Sequence, residues 1–176
     1  MSRAYNFFFF FATLPLEVLE EAQKDLTDYK GYGYSIMEAS HRGEAYDAVH
    51  NEAIANIKEL LDLSDDYAVL FMTGGASMQF PLIPMNLCGE GQVADYTNTG
   101  AWAAKAIKEA EILVDTNVIA DTSGEKPARM PRPDEMRESE NAAYVHITSN
   151  ETISGTQWKT FPETKSPLVA DMSSEM

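Results

Sequence analysis

Four short stretches of this 176-residue sequence place reactive or ligand-binding side chains beside backbone suited to present them. In residues 71–80, FMTGGASMQF, an apolar run meets two glycines and then Ala76 and Ser77 at the expected start of a helix. Glycine lets backbone approach a ligand closely, and the first N–H groups of a helix have no partner within it. With the Ser77 hydroxyl added, the stretch suits a phosphate. It matches neither G-x-G-x-x-G nor a Walker loop, and taken alone an ordinary tight strand-to-helix turn is the slightly better account of it. In TNTGAWAAKA, Trp102 stands at another helix start, where an indole either stacks on a flat ring or joins the core. NETISG offers Asn150, Glu151 and Thr152 at the end of a further strand, and LVAD closes an apolar strand on Asp171, whose carboxylate calls for a cationic partner.

Composition narrows what such groups would meet. Lys and Arg number 13 against 28 Asp and Glu, a net charge of -15 that repels nucleic acid and anionic membrane surfaces. An anionic ligand must therefore be held by a few well-placed cations or N–H groups working against the overall field. Cys88 is the single cysteine, which excludes an internal disulfide. With no targeting segment at the N-terminus, this predicts a reducing cytoplasm, with Cys88 as a small apolar residue. His50 and His146 have no second ligand at metal spacing and read as structural, so no metal site is expected. The five phenylalanines at 7–11 are too short a run for a bilayer span or a secretory signal and leave a buried strand or a sequence defect as readings.

The elements that must position these groups alternate along the chain. Residues 13–29 predict a helix with Thr13 as cap and Pro15 in the first turn, followed by a glycine-containing loop. A second helix is expected from about Glu44 to Leu61 with Tyr46, Val49, Ala53, Ile57 and Leu60 on one face. YAVLFMT, at 67–73, reads as a strand buried on both faces. A helix over 74–87, a strand over 91–97, a helix over 99–113 and a strand or loop over 112–120 follow. Residues 121–140 read as a solvated excursion with a short helix at most, 142–148 as a strand, 149–158 as a turn-rich loop and 166–174 as a strand. The economical architecture is α/β with a mostly parallel sheet flanked by helices, whose ligands bind at the carboxyl edge. An α/β layer that stops on a strand reads as the interruption of a longer chain.

In this order, TGGASMQF, TGAWAAKA, SNETISGTQW and VADMSS, with SHRG and the lead-in YNFF…ATLPLEVLEEA, resemble the phosphoserine aminotransferases over essentially all of the sequence. That family belongs to the fold-type I pyridoxal-phosphate enzymes. The resemblance implies a homodimer in the full-length state that transaminates between phosphoserine and 2-oxoglutarate, giving 3-phosphonooxypyruvate and glutamate in serine biosynthesis. It implies that Ala76 and Ser77 bind the cofactor phosphate, Trp102 stacks on the pyridine ring, Thr152 bonds near its phenolic oxygen, and Asp171 pairs with the pyridinium nitrogen. His41 and Arg42 of SHRG would take the substrate, Arg42 its carboxylate and His41 its phosphate. On the residues alone, both would read as loop surface and packing.

Two departures from the family pattern are visible. The aldimine lysine follows the strand bearing the Asp in this family, whereas Lys159 and Lys165 precede Asp171 and the sequence ends at Met176. Residues 1–176 are therefore expected to be the N-terminal segment and part of the cofactor-binding large domain, without the small C-terminal domain and inactive alone. Phe9 to Phe11 stand where the family has a small residue and a Gly-Pro turn, which bulky aromatics cannot imitate. The alternatives are a non-catalytic chain with a vestigial cofactor pocket, and an aminotransferase of the same fold acting on another amino acid.

Overall fold

The computed structural model describes residues 13–175, so the phenylalanine run at 7–11 and its comparison with a Gly-Pro turn lie outside the described residues. The chain divides after Phe71 into two compact units.

In the first unit, α1 spans Leu16–Asp25 and α2 spans Glu44–Leu60. Pro15, with ψ 143, is the N-cap of α1 in place of the expected Thr13. The helix stops earlier than the sequence suggests. Asp28 instead accepts a hydrogen bond from the Gly33 N–H at 2.7 Å, which closes the glycine-containing loop and takes residues 26–29 out of the helix. A single turn of 3-10 helix at Ile36–Glu38 is set by a capping box between Ser35 and Glu38. The expected apolar face of α2 is only half realised: Ala53 and Ile57 are partly covered, Ala45 is buried, and Leu60 is 82% exposed.

The second unit carries the sheet. It comprises α3 (Gly75–Leu87), β1 (Val93–Asn98), α4 (Ala101–Ala110), β2 (Thr116–Asp121), β3 (Ala142–Thr148), the short pair β4 (Asn150–Glu151) and β5 (Thr156–Gln157), and β6 (Leu168–Asp171). β2, β1, β3 and β6 lie side by side in that order, and every pairing among them is parallel. The expected parallel α/β layer is therefore present, flanked by helices. Strand periodicity sorts its residues. Ala94, Tyr96 and Tyr144 pack with Phe80 of α3 and Ala106, Ile107 and Ala110 of α4, while Val145 and Ile147 join Ile119 and Trp158 in a separate cluster. The Tyr96 and Tyr144 hydroxyls bond each other at 2.7 Å across neighbouring strands, and burial pushes the Tyr96 phenol up to about 12.

Three expectations are corrected here. Residues 67–73 do not form a strand: among the described residues no strand pairs with them, and Tyr67, Leu70, Phe71 and Met72 are all more than half exposed. Without a neighbouring ladder, an apolar run has neither hydrogen bonds nor a surface to hold it in a sheet. The loop at 149–158 contains the antiparallel pair β4–β5, turned at Gly155 with φ +71. The excursion at 121–140 is ordered by contacts that composition hides. Met130 and Met136 pack on the second cluster, and Arg129 binds both Glu125 and Glu135, whose carboxyl that guanidinium holds at about 2. Behind it, the buried Asp95 accepts from the Ser139 N–H and hydroxyl, each at 2.7 Å, which ties the end of the excursion to β1.

Candidate functional site

Because the four strands run parallel, their carboxyl ends share one edge, and α4 starts at that edge directly after β1. A cleft of about 310 Å³ lies there between α3 and the end of β6. Its walls include Ala76, Gln79, Phe80, His146 and Asp171. Two of the expected site residues, far apart in sequence, thus meet in one cavity.

The α3 end of the cleft follows from its glycines. Gly74 precedes the helix with φ +89, and a Cβ there would lie 2.3 Å from the Met78 Cβ, so only glycine fits this entry turn. Among the described residues no side chain caps α3, and the N–H groups of Gly75, Ala76 and Ser77 have no carbonyl one turn back to receive them. They form a positive, donor-rich helix end suited to an anion. Ser77 is exposed and its hydroxyl accepts from the Lys105 Nζ at 2.7 Å.

At the opposite wall, the Asp171 side chain accepts from the Ser173 hydroxyl at 2.6 Å and the Ser173 N–H at 3.1 Å. Among the described residues no cation forms an ion pair with it. His146 is 1% exposed, lies tilted with its ring centroid 4.9 Å from that of Tyr96, and has no hydrogen-bond partner for either ring nitrogen among the described residues. Burial lowers its pKa to about 4 against the opposing pull of Asp171, so it is neutral near pH 7. An unpartnered buried imidazole and a carboxylate without a cation suit a polar ligand that brings a protonated nitrogen. No group of His, Cys, Asp and Glu among the described residues is arranged to hold a metal, and none of their helices is long and apolar enough to cross a membrane.

Trp102 and Thr152 are not in the cleft wall. Trp102 is half-buried in the first turn of α4, with Lys105 Nζ 5.9 Å from its ring centroid. Thr152 is exposed and donates to the Ser174 hydroxyl at 2.9 Å. His41 and Arg42 belong to the first unit, in the exposed turn before α2, where the Arg42 N–H bonds the Ser40 hydroxyl at 3.2 Å.

Glu151 is the residue whose part the sequence does not reveal. It is 1% exposed, and its carboxylate accepts from the Trp102 N–H at 3.1 Å, the Ala103 N–H at 3.0 Å and the Thr99 hydroxyl at 3.2 Å. It thereby fills the N-terminus of α4 from a hairpin some fifty residues downstream. Gly100 makes room for it, since a Cβ there would lie 2.8 Å from the carboxylate. The only sequence signal for this role is a Glu next to a strand end, and that pattern has many other uses.

Comparison with known proteins gives the family of the chain. Residues 6–172 match the model of the family described as aminotransferase class-V. The chain is 54% identical over 175 residues to the phosphoserine aminotransferase of Niallia circulans and 53% identical to that of Desulfosudis oleivorans, in each case over 99% of this chain and 48% of the relative. It therefore spans about half the length of the curated relatives it matches. Among solved structures, the phosphoserine aminotransferase from Bacillus circulans subsp. alkalophilus superposes with a TM-score of 0.87 at 53% identity, over 92% of this chain and 45% of that one. The pyridoxal-phosphate-bound phosphoserine aminotransferase from Trichomonas vaginalis gives 0.87 at 38% identity, over 94% and 47%. With a family match that runs nearly end to end and a shared parallel sheet, the chain belongs to the class-V aminotransferases.

Proposed function

We propose that residues 1–176 are the N-terminal segment and part of the cofactor-binding domain of a pyridoxal-phosphate-dependent phosphoserine aminotransferase. The whole protein would act as a cytoplasmic homodimer, exchanging the amino group of phosphoserine with 2-oxoglutarate. The observation that supports this most is the meeting of Ala76, at an open helix end, with Asp171 across one cleft.

When bound, the cofactor supplies an electron sink for the carbanion that transamination requires. The chain's own residues have separable tasks. The N–H groups of Ala76 and Ser77, with the Ser77 hydroxyl, hold the phosphate. Although neither lines the cleft, Trp102 would cover one face of the ring and Thr152 would bond near its phenolic oxygen, as the family resemblance implies. Asp171 keeps the proton on the ring nitrogen, because a carboxylate beside a pyridinium favours the charged form. The family resemblance would give Arg42 the substrate carboxylate, for which its two-pronged donor is suited, and His41 the substrate phosphate. Lys159 and Lys165 precede Asp171, and neither is assigned the covalent attachment of the cofactor.

The test is binding of pyridoxal phosphate to the chain, followed by absorbance and by quenching of tryptophan emission. Saturable binding that survives in Lys159→Met and Lys165→Met, yet falls at least tenfold in Asp171→Ala, is the expected result. Binding unaffected by Asp171→Ala would remove the cofactor from this cleft.

A further inference from the structure

We infer that Lys105 is a further phosphate-binding residue of this site, its ammonium closing over the open end of α3 to bond the phosphate monoester carried by the cofactor. The inference rests on the cofactor reading above and adds a residue to it.

Geometry comes first. Lys105 is half-buried on α4 and reaches across to α3, where its Nζ donates to the Ser77 hydroxyl at 2.7 Å. The same nitrogen lies 5.9 Å from the Trp102 ring centroid and 6.0 Å from that of Phe80, so two aromatic side chains steer the ammonium. An ammonium has three donors. With one given to Ser77, two remain for a ligand, and the Ser77 hydroxyl proton is freed to point at the same ligand.

Charge gives the second argument. The chain has 28 acidic residues against 13 basic ones, and the other half-buried cations among the described residues, Lys58 and Arg129, each find a carboxylate. Lys105 makes no ion pair among the described residues. A half-buried cation that stays unpaired in so acidic a chain is matched to an anion from outside, here next to three backbone N–H groups that want the same thing.

Independently, the cleft that begins at Ala76 contains His146, 1% exposed and unpartnered at both nitrogens, which marks this cavity as built to receive a polar ligand. The neighbouring helix end at α4 is closed by Glu151, which leaves the α3 end beside Lys105 as the place for the phosphate.

The experiment compares two ligands that differ only in the phosphate and have no aldehyde to react with lysine: pyridoxamine 5′-phosphate and pyridoxamine. Their dissociation constants are measured on the chain by quenching of tryptophan emission. Lys105→Met, which keeps the aliphatic stem, is expected to weaken the phosphorylated ligand about tenfold, as for loss of one charge-assisted hydrogen bond, and pyridoxamine less than twofold. Lys105→Arg should retain most of the preference. If Lys105→Met lacks a folding transition in a thermal scan, Lys105→Gln carries the same comparison. Equal weakening of both ligands, or no change in either, overturns the inference, as does weaker O-phosphoserine binding with an unchanged preference for the phosphorylated pyridoxamine. If the unsubstituted chain does not distinguish the two ligands, the cofactor reading itself fails and takes the role of Lys105 with it.

Discussion

The N-termini of α3 and α4 start from similar local sequence, Thr-Gly-Gly-Ala-Ser and Thr-Gly-Ala-Trp, and reach opposite states. At α4 the chain supplies the acceptor itself: the buried Glu151 carboxylate accepts the Trp102 and Ala103 N–H groups and the Thr99 hydroxyl. At α3 no side chain among the described residues caps the helix, and the cleft beside it is lined by a buried, unpartnered imidazole. Helix N-termini attract negative charge wherever they occur. What separates a structural helix end from a binding one is whether the chain supplies that charge itself.

The hardest way to break the contrast is to open the closed end. Glu151→Ala would leave the buried Ala103 N–H and Thr99 hydroxyl and the part-buried Trp102 N–H without an acceptor, so we expect a loss of about 4 kcal/mol in urea unfolding. Glu151→Gln, which turns a donor toward one of those N–H groups, should lose about half as much.

A second test concerns the unsatisfied side. His146 is held neutral in the fold, with its pKa at about 4 against 6.5 in the unfolded chain, so the unfolded state binds the proton first as pH falls. Stability contributed by the neutral ring is complete above pH 6.5 and lost progressively down to about pH 4, by up to about 3 kcal/mol. Unfolding free energies measured across that interval should lose this slope in His146→Phe.

Gly100→Ala probes how closely the closed end is packed. A Cβ 2.8 Å from the Glu151 carboxylate must push it off its donors, for an expected loss of about 2 kcal/mol by the same denaturant measurement. The smallest effect sharpens the contrast from the open side. Lys105→Met removes a partly exposed hydrogen bond to Ser77 and should shift stability by less than about 0.5 kcal/mol, while changing phosphate binding as described above. A large stability loss there would make Lys105 a structural strut.

Much of this architecture is legible in the sequence, element by element. α2, α3, α4, β1 and β3 fall where periodicity and glycine signals predict them, and the parallel sheet follows from their alternation. The run at 67–73 has the composition of a buried strand but no strand beside it, because local composition encodes fitness for a sheet and pairing supplies its membership. The excursion at 121–140 looked solvated because its order comes from Arg129 bridging two glutamates and from Asp95 capturing Ser139.

The candidate site divides the same way. Ala76 and Ser77 follow from glycines a few residues away, and Asp171 from a charge that closes an apolar strand, so local pattern suffices to single them out. Glu151, His146 and Lys105 acquire their significance from partners, or the lack of them, on other elements: Glu151 from a helix about fifty residues earlier, His146 from a pocket that leaves it unbonded, Lys105 from the end of a neighbouring helix. By itself the sequence determined which backbone segments form helix and strand and which glycines mark their junctions, because those preferences act within a few residues. The tertiary structure decided which helix end is filled and which stays open, because that depends on a carboxylate and an ammonium brought into reach only when the sheet assembles.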